Sequence, residues 1–121
     1  MAPRPAARSK YGAVRTGVDG IVFASKREAA RYQELRLLQK AGEIWDLDVQ
    51  PRYDLTVKGV RLGAYVGDFR YHERCDRYEA GDRKGTLLVV EDVKAPPTRT
   101  PIYRWKKRHM LAEHGVVIRE I

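Results

Sequence analysis

The stretch Leu87-Leu88-Val89-Val90-Glu91-Asp92-Val93-Lys94 decides how this chain is read. It predicts a central strand, and because side chains on a strand alternate between faces, Asp92 and Lys94 share one face while Glu91 and Val93 point the other way. Asp92, not Glu91, is therefore the acid partnered with the lysine. Upstream, Tyr65-Val66-Gly67-Asp68-Phe69-Arg70-Tyr71 predicts a second central strand. There Val66, Asp68 and Arg70 lie on one face and Tyr65, Phe69 and Tyr71 on the opposite, aromatic face. Asp68 can then turn away from an aromatic core and towards Asp92.

Working outward, Tyr11–Arg15 and Gly20–Ala24 flank the turn signal Thr16-Gly17-Val18-Asp19-Gly20 and predict a short hairpin. Ser25 supplies an N-cap for a helix over Lys26–Lys40, a run of good helix formers that Gly42 ends. Ile44, Leu47, Val49, Tyr53, Leu55 and Val57 mark strand, bend and strand around Pro51, with a turn at Lys58 and Gly59. Beyond a charged loop from His72 to Lys84 and the strand above, Pro96 and Pro97 punctuate a connection. Pro101 opens a second helix to about His114, stopped by Gly115, and Val116, Val117, Ile118 and Ile121 form a closing strand. The order is hairpin, helix, three or more strands, helix, strand, which is an α/β sandwich around a mixed sheet.

With 121 residues the chain is long enough for one self-sufficient core, and the expected organisation is a basic arm over residues 1–10 followed by a single domain over residues 11–121. A single cysteine, Cys75, excludes a disulfide framework and any Cys/His metal spacing. No apolar run approaches the roughly 18–20 residues of a membrane span, and Met1–Lys10 lacks the apolar stretch of a secretory signal, so a cytoplasmic protein is expected. The formal charge of +8 asks for an anionic partner, and for a small basic domain that partner is most often a nucleic-acid backbone.

Glu28 admits two roles. Ser25 to Glu28 fits the S-x-x-E capping box, in which the glutamate folds back onto the Ser25 amide. Yet Glu28, Tyr32 and Leu35 fall at i, i+4 and i+7, which points the carboxylate towards the sheet, where it can join Asp68 and Asp92. Like charges about 4 Å apart repel by roughly 4 kcal/mol at an effective dielectric of 20, so converging carboxylates need either a raised pKa or a cation. Three hard oxygen donors without thiolate or paired imidazole favour Mg²⁺, with Mn²⁺ able to substitute. Such an ion polarises a phosphate and acidifies a bound water, while Lys94 would orient that water or neutralise the developing phosphorane charge. Asp68, Asp92 and Lys94 with Glu28 thus predict a metal-dependent phosphodiesterase, and a surface salt bridge between Asp92 and Lys94 is the structural alternative.

The second helix carries Tyr103, Trp105 and Met110 as apolar anchors, with Arg104, Lys106 and Lys107 on a cationic side and Arg99 just before it. Those cations and Arg70 are the expected phosphate contacts. His72, His109 and His114 have no mutual spacing suited to a metal and are expected at the surface or at helix ends.

These residues resemble the PD-(D/E)XK nuclease superfamily, with Asp68 as the first strand acid and Asp92-Val93-Lys94 as the (D/E)-x-K triplet. More closely, Phe23-Ala24-Ser25-Lys26-Arg27-Glu28-Ala29, Gln50-Pro51-Arg52-Tyr53, Tyr65–Tyr71, Glu91–Lys94 and Tyr103–Lys107 resemble short phage-encoded proteins related to Holliday junction resolvases. The likeness covers nearly everything from Tyr11 to Ile121. It implies a restriction-endonuclease-like αβββαβ core, a helix-one glutamate falling on Glu28, and a homodimer acting in DNA recombination on four-way junctions inside a phage-infected bacterial cell. The function expected is a Mg²⁺-dependent, structure-selective DNA endonuclease. The alternatives are a nicking or flap endonuclease on other branched or single-stranded DNA and a catalytically inactive DNA-binding module of the same fold.

Overall fold

A computed structural model of the chain describes residues 15–75, 86–93 and 100–121. The basic arm, Lys94, Arg99 and residues 76–84 of the charged loop expected from His72 to Lys84 lie outside the described residues, whereas His72–Arg74 of that expected loop are strand. The chain opens with a hairpin of β1 (Thr16–Val18) and β2 (Ile21–Phe23), followed by α1 (Lys26–Lys40). The turn is the two-residue Asp19-Gly20, both with positive φ, 52° and 77°. Thr16–Val18, expected within the turn, are strand because a tight turn of this kind needs only two left-handed residues and lets the flanking ones pair.

Ser25 caps α1 as expected, its Oγ accepting the Glu28 amide hydrogen at 3.1 Å, and Gly42 leaves the helix at φ 79°. Ala29, Tyr32 and Leu35 form its buried stripe. Strands β3 (Ile44–Val49), β6 (Phe69–Arg74), β7 (Thr86–Asp92) and β8 (Ile118–Glu120) make a four-stranded sheet in that order. β3 and β6 run antiparallel, as do β6 and β7, whereas β7 and β8 are parallel and joined through α2 (Pro101–His114). The central elements follow the expected αβββαβ order, so the mixed α/β fold is present.

Tyr65–Tyr71 is not one strand: β5 (Val60–Val66) pairs with β4 (Arg52–Val57) in a separate hairpin, and the chain crosses into the main sheet at Gly67 and Asp68. Gly67 permits the crossing because a Cβ there would meet Val90 Cγ1 at 3.1 Å and Pro51 Cγ and the Tyr65 ring at 3.4 Å. Its amide donates to the Pro51 carbonyl at 2.9 Å, and the Asp68 amide donates to the Glu91 carbonyl at 3.0 Å. As a result Tyr65 leaves the company of Phe69 and Tyr71. It packs with Leu55, Val90, Tyr103, Met110 and Ile118 beneath α2, while Phe69 and Tyr71 pack with Phe23, Tyr32, Leu35 and Val89 beneath α1.

The β4–β5 hairpin is fastened to α2 by polar contacts. Glu113 accepts the Thr56 amide hydrogen at 2.6 Å, and the Nε2 atoms of His109 and His114 lie 3.0 and 2.8 Å from the carbonyl oxygens of Thr56 and Asp54. The Thr56 hydroxyl and amide, with His109 assisting, hold the Glu113 carboxyl down to about 2. His109 is therefore a half-buried brace, where surface placement was expected. α2 starts at Pro101 and ends at Gly115 as expected, but its buried anchors are Tyr103 and Met110; Trp105 is 45 % exposed, with its edge against the His109 ring.

Candidate functional site

From Val89 onward strand β7 is buried on both faces, and its alternation sorts two neighbouring carboxylates to opposite sides. Val89, Glu91 and Val93 face α1, whereas Val90 and Asp92 face α2 and the β4–β5 hairpin.

On the α1 side, Glu91 is fully buried and matched by a cation. Arg31 donates to it twice, from Nε at 2.8 Å and from Nη2 at 2.6 Å, and the Tyr71 hydroxyl donates a further hydrogen bond. The bidentate geometry repays part of the cost of burying both charges. The Glu91 hydrogen bonds push the Arg31 guanidinium above its already high value, against the opposing effect of burial. Burial, then the Glu91 hydrogen bond, raises the Tyr71 phenol. Beside this network Arg119 and Glu73 form a second bidentate pair at 2.8 and 3.2 Å.

On the other side, Asp92 is 4 % exposed and accepts the Tyr65 hydroxyl hydrogen at 2.6 Å. Asp68, at the crossing between hairpin and sheet, accepts the Val93 amide hydrogen at 2.6 Å. Its carboxyl is pushed up to about 8, first by burial, then by the charges of Glu28 and Asp92, with the Val93 amide opposing and a hydrogen bond to Asp92 adding to the rise. Burial, then the charge of Asp92, raises the Tyr65 phenol as well. Glu28, Asp68 and Asp92 thus share one electrostatic environment, reached by the crossing at Gly67 and Asp68 and not by the single strand that was expected.

Convergence is incomplete at Glu28. Its Oε2 accepts the Ala24 amide hydrogen at 3.1 Å, one residue earlier than the Ser25 amide of the expected capping box. The carboxylate thus ties β2 to α1 through Ala24 instead of closing the expected box, and it remains close enough to raise Asp68. Among the described residues no group of three or more His, Cys, Asp or Glu is arranged as a ready-made metal cage. The donor chemistry nonetheless suits a hard divalent ion: carboxylate oxygens crowd at a position where a proton is retained to near pH 8.

The expected phosphate contacts divide. The Arg70 guanidinium is held by Asp48, donates to the Tyr53 hydroxyl at 3.2 Å and lies 5.6 Å over the Tyr53 ring, so its charge serves the fold. Lys107 pairs with Glu120 at 3.4 Å, and Arg104 is exposed on the same helix. Lys106 shares a surface trough with Asp92. The expectation that a basic face of α2 borders the acids therefore rests on Lys106.

Tyr65 and the Arg31–Glu91–Tyr71 network are residues that sequence reasoning missed. Strand phase sends Glu91 towards α1, and a carboxylate buried there requires a donor; Arg31, one turn beyond Glu28, is the signal that could have found it.

No helix among the described residues is long and apolar enough to cross a membrane. Comparison with known proteins found neither a curated protein nor a solved structure that matches the chain. A family model matches residues 8–114, and on that match the chain belongs to the family described as "Protein of unknown function (DUF1064)".

Proposed function

We propose that the protein is a metal-dependent, structure-selective DNA endonuclease, with four-way junctions as its first candidate substrate. The observation that carries this reading is geometric: where the hairpin crosses into the sheet, Asp68 is held by the Val93 amide and Asp92 by the Tyr65 hydroxyl, close enough that burial and the charges of Glu28 and Asp92 raise the Asp68 carboxyl. A purely structural site would gain nothing from such crowding, whereas a divalent cation would relieve it. The net charge of +8 supports a polyanionic substrate.

Asp68 and Asp92 would hold Mg²⁺ or Mn²⁺ together with Glu28. When bound, the ion supplies charge neutralisation at the phosphate and a water of lowered pKa. The chain's own residues prepare the site. The Val93 amide fixes Asp68, the Tyr65 hydroxyl fixes Asp92, and the surrounding core excludes water from one side of both carboxylates. Lys94 follows Val93 directly and is the candidate to orient the attacking water and offset charge on the phosphorane. Action as a homodimer, placing two such sites on opposed strands, belongs to the junction reading.

Incubating the protein with a four-way junction, a flap, an intact duplex and a single strand, in Mg²⁺ or in chelator, tests the proposal. Paired symmetrical nicks in the junction are expected, only with metal. Cuts confined to flap or single strand would reassign the substrate, and metal-independent retention without cutting would overturn the enzyme in favour of a DNA-binding module.

A further inference from the structure

A trough of about 320 Å³ runs from Asp92 between β5 and the first turns of α2. Its walls are unlike either core. Val66 and Ile102 border it while 51 % and 67 % exposed, and Lys106 stands on the same wall as Ile102. Lys106 is half-buried and makes no ion pair among the described residues, whereas its neighbour Lys107 is taken by Glu120. Two aliphatic side chains and a cation thus stand beside a buried carboxylate.

We infer that this trough seats a single unstacked nucleotide of a DNA strand, the one adjoining the phosphate presented to Asp68 and Asp92. The inference rests on the endonuclease reading and deepens it. Lys106 matches the backbone phosphate, and Val66 and Ile102 offer apolar walls for a sugar or base. The volume lies at the low end for small-ligand sites, enough for one nucleotide and too little for a stacked pair. A base can occupy it only by leaving the helix, at a cost of a few kcal/mol in intact duplex and less at a branch, nick or single strand. Structure selectivity then follows from the trough itself.

The test uses DNA carrying 2-aminopurine at the branch point of a flap and of a four-way junction, with matched intact duplex, bound by the full chain in chelator. Emission from 2-aminopurine reports unstacking without any cleavage. The wild type is expected to raise emission several-fold at the branch point and not in duplex. Because both side chains are exposed, Val66→Ser/Ile102→Ser should fold normally by circular dichroism. It should lose that rise and weaken branched-DNA binding about tenfold, the factor expected for partial burial of two aliphatic side chains, with under twofold change for duplex. Lys106→Gln should weaken all three DNAs and lower the salt slope by about one.

An unchanged emission rise in the double variant, an equal loss of affinity for duplex, or failure of the wild type to unstack or bind any of these DNAs would overturn the inference. The two readings fail separately. Unstacking by the wild type that the double variant loses, without any cleavage in Mg²⁺, keeps the seat and removes the nuclease; cleavage without unstacking does the reverse.

Discussion

Glu91 and Asp92 are consecutive on β7 and both are buried, yet the fold treats their charges in opposite ways. Glu91 faces α1, where Arg31 and Tyr71 supply three donated hydrogen bonds and a full positive charge. Asp92 faces α2, where it meets a tyrosine hydroxyl and a second carboxylate, Asp68, that holds its proton to about 8. The first arrangement is complete within the protein. The second crowds carboxyl groups at a place open to a trough on the surface. One strand therefore carries an acid matched by a cation and an acid crowded by a second carboxyl side by side, and the alternation of side chains keeps them apart.

The comparison can be broken most severely on its structural side. Arg31→Met leaves Glu91 buried without its cation and should cost roughly 3–5 kcal/mol of stability, read by chemical denaturation. Arg31→Met/Glu91→Met should recover most of that loss, since the pair rather than either charge is what the core requires. On the functional side, Asp92→Asn should lower cleavage by about 10²–10³ while DNA binding in chelator holds or tightens, because the change removes a negative charge. Equal stability losses from Asp92→Asn and Arg31→Met would erase the distinction.

Smaller effects sharpen it. The Asp68 carboxyl is raised to about 8 in the folded protein, against about 3.9 in an unfolded chain. Between those values folding takes up a proton, so wild-type stability falls as pH rises from about 4 to about 8 and then levels. Asp68→Asn lacks that slope. It should be more stable than the wild type by about 1–2 kcal/mol above pH 8, after allowance for solvent screening, with the advantage fading towards pH 4. Thermal melts across that range measure it. Calorimetric titration with Mg²⁺ should show affinity rising by up to about tenfold per pH unit from 6 to 8 and flattening beyond, as the bound proton ceases to compete.

Much of this was legible in the chain. Ser25, Gly42, Pro101 and Gly115 fix both helices because caps and breakers act locally. Period two on β7 sends Asp92 and Glu91 to opposite faces for the same reason. The break at Gly67 was not legible: Tyr65, Phe69 and Tyr71 are all buried, a spacing that one strand through a single core or two strands in different cores produces equally well. Only the close approach to Val90 and Pro51, a tertiary fact, decides between them. Likewise the Arg31–Glu91 pair joins residues 60 apart in sequence, and Glu28 accepts from the Ala24 amide, one residue before the amide that the capping box predicts.

The Ala24 amide is tied to Glu28 Oε2, on the carboxylate that would join Asp68 in holding a cation. Drawing Glu28 inward would release this N–H to solvent and loosen the joint between β2 and α1. Hydrogen–deuterium exchange at Ala24 is thus a local gauge of whether Glu28 has changed allegiance, readable without substrate and without cleavage.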